Sequence, residues 1–357
     1  MLAFTVLPGK PQSITLEDVP PPPASDGAVL VRALALGICG TDREIIAGDY
    51  GSAPPGEQRL IIGHESLGRV EEAPAGSHLE RGDLVVGIVR RPDPVPCPAC
   101  AAGEWDMCRN GRYTERGIKA RNGYGSAQFR IEPEFAIKLD PKLGDLGVLM
   151  EPTSVVAKAW EQCLRIGDRG AAWRPRTALI TGAGPIGLLA AMIGVQQGLD
   201  VHVYDRNTEG AKPALTRDLG ATYHSGGFPD LAALAPDIVM ECTGAAPVVE
   251  QTMGNAAAAG IVCLAGVSGT GHEITFDVGG FNRSMVLDNQ TVFGSVNANH
   301  RHYAAAANAL ARADQAWLSR LITRRVPLSR WREAFERRDD DIKVVLDFSD
   351  VLDSAAH

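Results

Sequence analysis

The chain has 357 residues, of which 45% are hydrophobic and 22% charged, and carries a formal net charge of -8. That length exceeds one ordinary core and suits two domains, while the near-average composition excludes disorder and fibrous repeats. Lys and Arg are scattered rather than striped, the longest apolar stretches (such as Pro185 to Val195) fall short of the roughly 20 residues that cross a bilayer, and no basic-then-apolar leader opens the chain; no nucleic acid and no membrane is therefore expected as a partner, and a cytoplasmic location is.

The first half alternates short β-like runs, Ala28 to Leu34, Gly68 to Glu72 and Asp83 to Ile88, with Gly- and Pro-rich turns, and reads as a β-rich domain. Inside it, Gly37-Ile38-Cys39-Gly40-Thr41-Asp42 and Gly63-His64-Glu65 place a thiol, an imidazole and carboxylates in two glycine-flanked segments. Taken with Glu151, in Leu149-Met150-Glu151-Pro152, Cys39, His64 and Glu65 form a set able to hold a catalytic zinc in an open tetrahedral site. Taken singly, each has a plain structural use, the cysteine as a small buried hydrophobe and the histidine as a hydrogen-bonded core residue.

Cys97, Cys100 and Cys108 form a second cluster, spaced as C-x2-C-x7-C in a loop with too few apolar residues to order itself. A structural zinc would supply that folding energy. Three thiolates leave the site one ligand short, with Asp93, Asp106 and Glu115 as candidates, and a metal-free loop is the alternative. Seven cysteines, an odd number, suit metal binding in a reducing compartment better than disulfides.

Near Leu149 the texture changes. Thr153 to Leu164 suits a helix, and strands then alternate with Ala- and Leu-rich helical segments: Thr177 to Gly182, Val201 to Asp205, Asp237 to Gly244, Gly260 to Val267 and Thr291 to Val296. Such alternation predicts a parallel sheet covered by helices. Past Asn297, a helix from His302 to Ala313, then Pro327 and a strand-like run from Ile342 to Phe348, are assigned back to the first domain.

Gly182-Ala183-Gly184-Pro185-Ile186-Gly187 is a GxGxxG motif that follows a predicted strand and opens the helix Pro185 to Gln197. Gly182 permits the tight turn, Gly184 lets backbone approach a pyrophosphate, and Gly187 lets helix and strand pack closely, while the helix N-terminus offers unpaired N–H groups to phosphate. Asp205, about 20 residues further on, can accept hydrogen bonds from both ribose hydroxyls and repels a 2′-phosphate, so NAD is favoured. Arg206 beside it is either a solvated loop charge or the partner of that phosphate in NADP.

These motifs, with Gly82-Asp83-Leu84-Val85-Val86, stand in an order that resembles the zinc-containing medium-chain dehydrogenases over nearly the whole chain. The subgroup most resembled is the microbial glucose dehydrogenases, through Val89-Arg90-Arg91-Pro92, Glu115-Arg116-Gly117-Ile118, Leu149-Met150-Glu151-Pro152, Gly294-Ser295-Val296-Asn297 and Asp341-Ile342-Lys343. The resemblance implies an α/β chain: a GroES-like β-rich catalytic domain over 1–155 and 298–357, and a doubly wound parallel-sheet Rossmann domain over 156–297. It implies that Cys39, His64 and Glu65 hold a catalytic zinc with Glu151 near or on the metal, that Thr41 starts a proton relay, and that Glu115, Glu151 and Asn297 line a sugar pocket. Thr243 and Asn297 join the glycines, Pro185, Ile186, Asp205 and Arg206 as expected cofactor contacts.

The implied reaction is oxidation of glucose or a related aldose at C1 to the lactone, with NAD or NADP reduced, in a homodimer or homotetramer. A polyol or secondary-alcohol dehydrogenase of the same family is the first alternative, and a non-catalytic dinucleotide-binding protein the second. Two positions depart from the pattern: Pro94 stands where the four-cysteine lobe of the wider family has its first cysteine, and Asn122 stands where several relatives carry histidine.

Overall fold

The structure, a computed structural model, describes residues 1–269 and 273–349. The chain divides into two compact units: Met1–Glu151 with Asn297–Ala307 and the chain from Ile322 on, and Pro152–Val296 with Asn308–Leu321. No helix among the described residues is long and apolar enough to cross a membrane.

The first unit is built on a seven-stranded sheet whose order is Ala136–Lys138, Leu84–Gly87, Glu65–Glu72, Val29–Ile38, Lys343–Asp347, Ile322–Pro327, with Gln128–Ile131 also pairing the Val29–Ile38 strand. Val29 to Leu34 alternate buried and half-buried positions, which is why the first part of this strand is readable as a period of two. The strand then continues four residues past the expected Leu34, and because all four, Ala35 to Ile38, are buried, the alternation ends and the signal fades.

Register in this sheet places the site. Gly37 stands opposite Glu65 on one side of its strand, and Ile38 opposite Val344 on the other. Val345 is the residue opposite Gly37 on that far side, and Lys343, two residues earlier on the same strand, reaches back with its side chain to Glu65. Gly37 leaves the space between them open: a Cβ there would lie 2.1 Å from a Glu65 carboxylate oxygen.

The second unit is a six-stranded, wholly parallel sheet in the order Thr222–His224, Asp200–Tyr204, Thr177–Thr181, Ile238–Glu241, Ile261–Leu264, Thr291–Gly294. Five of these strands are legible in the sequence. The three-residue edge strand Thr222–His224 is too short to show a period. The helix Pro185–Gln196 buries every residue from Gly187 to Ile193, which fits a helix pressed onto a sheet.

Two boundaries differ from expectation for physical reasons. The strand expected to run from Asp237 to Gly244 stops at Glu241, whose carboxylate takes the amides of Thr243 and Gly244 and so removes them from the ladder. The tail assigned wholly to the first domain is divided, because Asn308–Leu321 packs with the second unit. There the Trp317 indole donates to Leu215 O at 2.9 Å and Gln196 Nε2 to Ala309 O at 3.0 Å.

Candidate active site and dinucleotide crevice

Cys39 caps the helix Gly40–Ala47. Its backbone is extended, its thiol accepts from Thr41 N at 3.3 Å, and its own N–H donates to Asp42 Oδ2 at 2.9 Å, a reciprocal capping box in which a thiol stands for the usual hydroxyl. The cap aims the sulfur at His64, whose Nε2 lies 3.0 Å from Cys39 Sγ. On the far side of the ring, His64 Nδ1 is 3.4 Å from Asp42 Oδ1. A carboxylate this close to one nitrogen favours the ring orientation in which the other nitrogen faces the site, as around metal-binding histidines.

Cys39, His64 and Glu65 bring one ligand atom each to within 4.8 Å of one another. Burial works against a charged His64, yet the Cys39 and Asp42 charges outweigh it and hold the imidazole pKa well above its ordinary value. The site thus attracts positive charge at the point where sulfur, nitrogen and carboxylate oxygen converge, and that donor set fits Zn2+. Glu65 is also gripped by Lys343, whose Nζ lies 2.7 and 2.6 Å from its two oxygens. Glu151, at the start of the helix Met150–Gly167, stands outside the three converging donors. Burial pushes its carboxyl up to about 7, with the Glu65 and Asp42 charges adding to the shift against the pull of His64 and Lys343.

Glu115 is buried on a short strand paired antiparallel with Arg90–Arg91. Its Oε1 accepts from Arg90 Nε at 3.1 Å, Arg90 Nη2 at 3.0 Å and Asn297 Nδ2 at 2.8 Å. Asn297 holds a left-handed backbone, φ 64°, which asparagine tolerates better than most residues. Its Oδ1 accepts from Ala298 N, so both ends of the amide are used inside the unit. Arg90 in turn lies 3.7 Å over the Tyr113 ring. Asn122, where several relatives carry histidine, accepts from Ile61 N and donates to the Glu57 carboxylate.

The three lobe thiols of Cys97, Cys100 and Cys108 also gather within 4.8 Å. Amide N–H groups of Arg109 and Cys100 draw the Cys97 thiol down to about 6, while burial pushes Cys100 up to about 11. None of the three carboxylates considered as a fourth ligand joins this group among the described residues. Asp93 is held by Val95 N, Asn110 and Arg112, Asp106 by Asn299, and Glu115 by Arg90 and Asn297.

In the second unit, Gly182 has φ 89° and Gly184 caps the helix that begins at Pro185, followed by Ile186. A Cβ on Gly187 would fall 1.7 Å from Gly182 O, so this position accepts only glycine. Asp205 Oδ2 accepts from Ala183 N at 2.8 Å and lies 3.4 Å from Lys212 Nζ, while Oδ1 accepts from Asn207 N at 3.0 Å. Arg206 is exposed beside it. Thr243 is bonded through both N and Oγ1 to Glu241. Sequence reasoning gave no role to Asp42, Lys212, Glu241 or Lys343. Asp42 and Lys343 stood inside quoted motifs, but their partners His64 and Glu65 lie far off in sequence, and Lys212 and Glu241 carry no local signal.

A family model described as glucose dehydrogenase C-terminus matches residues 144–348, and one described as alcohol dehydrogenase GroES-like domain matches 25–141. Glucose 1-dehydrogenase 2 of Vulcanisaeta moutnovskia is 39% identical over 352 residues, 97% of this chain and 99% of that protein. Glucose 1-dehydrogenase of Methanocella arvoryzae is 38% identical over 97% of this chain and 99% of that protein. Among solved structures, Haloferax mediterranei glucose dehydrogenase in complex with NADP, Zn and gluconolactone superposes with a TM-score of 0.89 at 32% identity, covering 98% of this chain and 99% of that one. The chain belongs to the glucose dehydrogenase family of the zinc-containing medium-chain dehydrogenases.

Proposed function

We propose that the chain oxidises glucose or a related aldose at C1 to the aldonolactone, with zinc bound and NAD or NADP as hydride acceptor. The observation that carries this reading is the convergence of Cys39, His64 and Glu65 in a protein whose solved relative, at 32% identity, holds NADP, Zn and gluconolactone. Zinc, when bound, supplies a Lewis acid that eases loss of the proton from the reacting hydroxyl.

The chain's own residues do the rest. Cys39 and His64 hold the metal, and Glu65 can contribute an oxygen while remaining paired with Lys343, since a carboxylate offers about four lone-pair sites. Thr41, next to the metal-facing turn, passes the hydroxyl proton outward. Glu115 keeps Oε2 for a sugar hydroxyl because Arg90 and Asn297 both occupy Oε1. The Gly182–Gly187 turn and the N-terminus of the following helix receive the pyrophosphate. Asp205 accepts from the ribose, and Lys212 and Arg206 beside it supply the positive charge that admits a 2′-phosphate, so both cofactors are used.

The assembly is a cytoplasmic homo-oligomer joined through the second unit. Thr291–Gly294 is an edge strand, and the adjoining helix Val278–Leu287 exposes Val278, Val286 and Leu287, at 66%, 64% and 61% of their surface. An aldose and polyol panel run in parallel with NAD and NADP, following reduced-cofactor absorbance, tests the reading. Turnover of aldoses with lactone as product is expected; turnover confined to polyols or secondary alcohols would transfer the assignment to another member of the family.

A further inference from the structure

Among the described residues, Glu241 is the one carboxylate on the sheet of the second unit that is fully buried, 0% exposed. It ends the strand Ile238–Glu241, beside the strand Thr177–Thr181 that leads into the glycine turn. Its Oε1 accepts from Thr181 Oγ1 at 3.2 Å, from Thr243 N at 2.7 Å and from Thr243 Oγ1, and its Oε2 accepts from Gly244 N at 3.1 Å. Two of these donors are amides, which can only donate, and both oxygens accept. Among the described residues no Lys, Arg or His pairs with it, so its charge is met by dipoles alone.

The chain reverses direction across the sheet between these two strands. After Thr177–Thr181 it builds outward through Asp200–Tyr204 and Thr222–His224, then returns to lay Ile238–Glu241 on the opposite side. A parallel sheet binds a dinucleotide in the crevice at the carboxyl ends of the strands where the order reverses, with the adenosine half by the acid of the second strand. Asp205 marks that half, so the nicotinamide half falls on the Glu241 side. Thr243 and Gly244 form the rim there, and the side chain of Thr243 packs against Gly182, whose Cβ would lie 2.9 Å from Thr243 Cγ2.

We infer that Glu241 is a positioning residue of this crevice, and that its buried negative charge favours the oxidised cofactor, whose nicotinamide ring is cationic, over the neutral reduced ring. The inference rests on the dinucleotide reading proposed above. The carboxylate fixes the Thr243–Gly244 rim through hydrogen bonds and acts on the ring through a charge that no cation offsets, and only the second effect distinguishes the two redox states.

The test is calorimetric titration of the wild type and Glu241→Gln with NAD+ and with NADH. The substitution is expected to shift the ratio of the two dissociation constants toward NADH by about 3- to 30-fold, the range for one charge acting across a partly screened site. A loss that is equal for both forms makes Glu241 a structural prop and overturns the inference. If Glu241→Gln does not fold, Thr243→Lys brings an ammonium to the same carboxylate and is expected to shift the ratio the same way; an unchanged ratio overturns it equally. Wild-type protein that binds neither form overturns the dinucleotide reading and this inference with it.

Discussion

Lys343 Nζ lies 2.6 and 2.7 Å from the two carboxylate oxygens of Glu65, and both side chains are buried. The pair spans the central strand of its sheet over Gly37, so the ammonium neutralises a carboxylate that also faces the Cys39 thiol and the His64 imidazole. Removing the lysine leaves that charge buried without its partner.

Lys343→Met is therefore expected to destabilise the metal-free protein by about 3–5 kcal/mol. Zinc should recover part of the loss, because the ion can take over neutralisation of Glu65. Thermal melts of the wild type and the variant, each with and without zinc, check this. Equal melting temperatures for the two metal-free proteins would show that the pair contributes nothing.

Glu132 predicts a change in acid stability. Burial raises its pKa, but Arg91, at 2.9 Å, and Arg121, at 2.6 Å, more than offset this and hold the carboxyl below its usual range. With the folded value depressed, the stabilisation is complete above the unfolded value of about 4.3 and is lost as pH falls through the lower folded value. Glu132→Gln should cost about 2 kcal/mol at neutral pH, since it unpairs the buried Arg91, and should flatten the fall in melting temperature on acidification. A variant that loses stability toward acid as steeply as the wild type would remove Glu132 from the acid transition.

Cofactor choice should turn on Asp205. Asp205→Ala removes the acceptor proposed for the ribose and frees Lys212, its neighbour at 3.4 Å, to meet a 2′-phosphate. Preference is expected to swing toward NADP by about tenfold or more in kcat/KM, the effect of losing one or two charge-assisted hydrogen bonds. Kinetics with both cofactors on one preparation give the answer, and a preference that stays put would assign selectivity elsewhere.

For the sugar, Glu115→Gln should raise KM for an aldose by about 10- to 100-fold while zinc stoichiometry stays unchanged. Metal analysis and steady-state kinetics on the same sample decide it. Loss of one zinc with an unaltered KM would move Glu115 to the cysteine lobe, against its bonds to Arg90 and Asn297.

The architecture was legible because its signals are local: alternating burial along Val29 to Leu34, a glycine turn between a strand and a helix, and a cysteine and a histidine beside glycines. What escaped is relational. Lys343 looks like any charged residue at the start of a strand until the fold lets its side chain reach across to Glu65. Glu241 reads as part of a continuous apolar strand, and its role appears only when Thr181, Thr243 and Gly244 turn their donors toward it. Asp42 was quoted inside a motif, yet its contact with His64 depends on a fold contact between residues 22 apart. The fourth lobe ligand was sought by proximity in sequence, and each acid considered is bonded to partners outside the three thiols.

The glycines of the nucleotide turn differ in a way that a mutational library would expose. Position 187 is closed by Gly182 O, whereas nothing lies within 4 Å of where a Cβ would stand on Gly184. A screen that selects only for folded protein should therefore reject every substitution at 187 and pass alanine at 184. A screen that selects for nucleotide capture should reject both, and the difference between the two selections would trace the footprint of the ligand from variant counts alone.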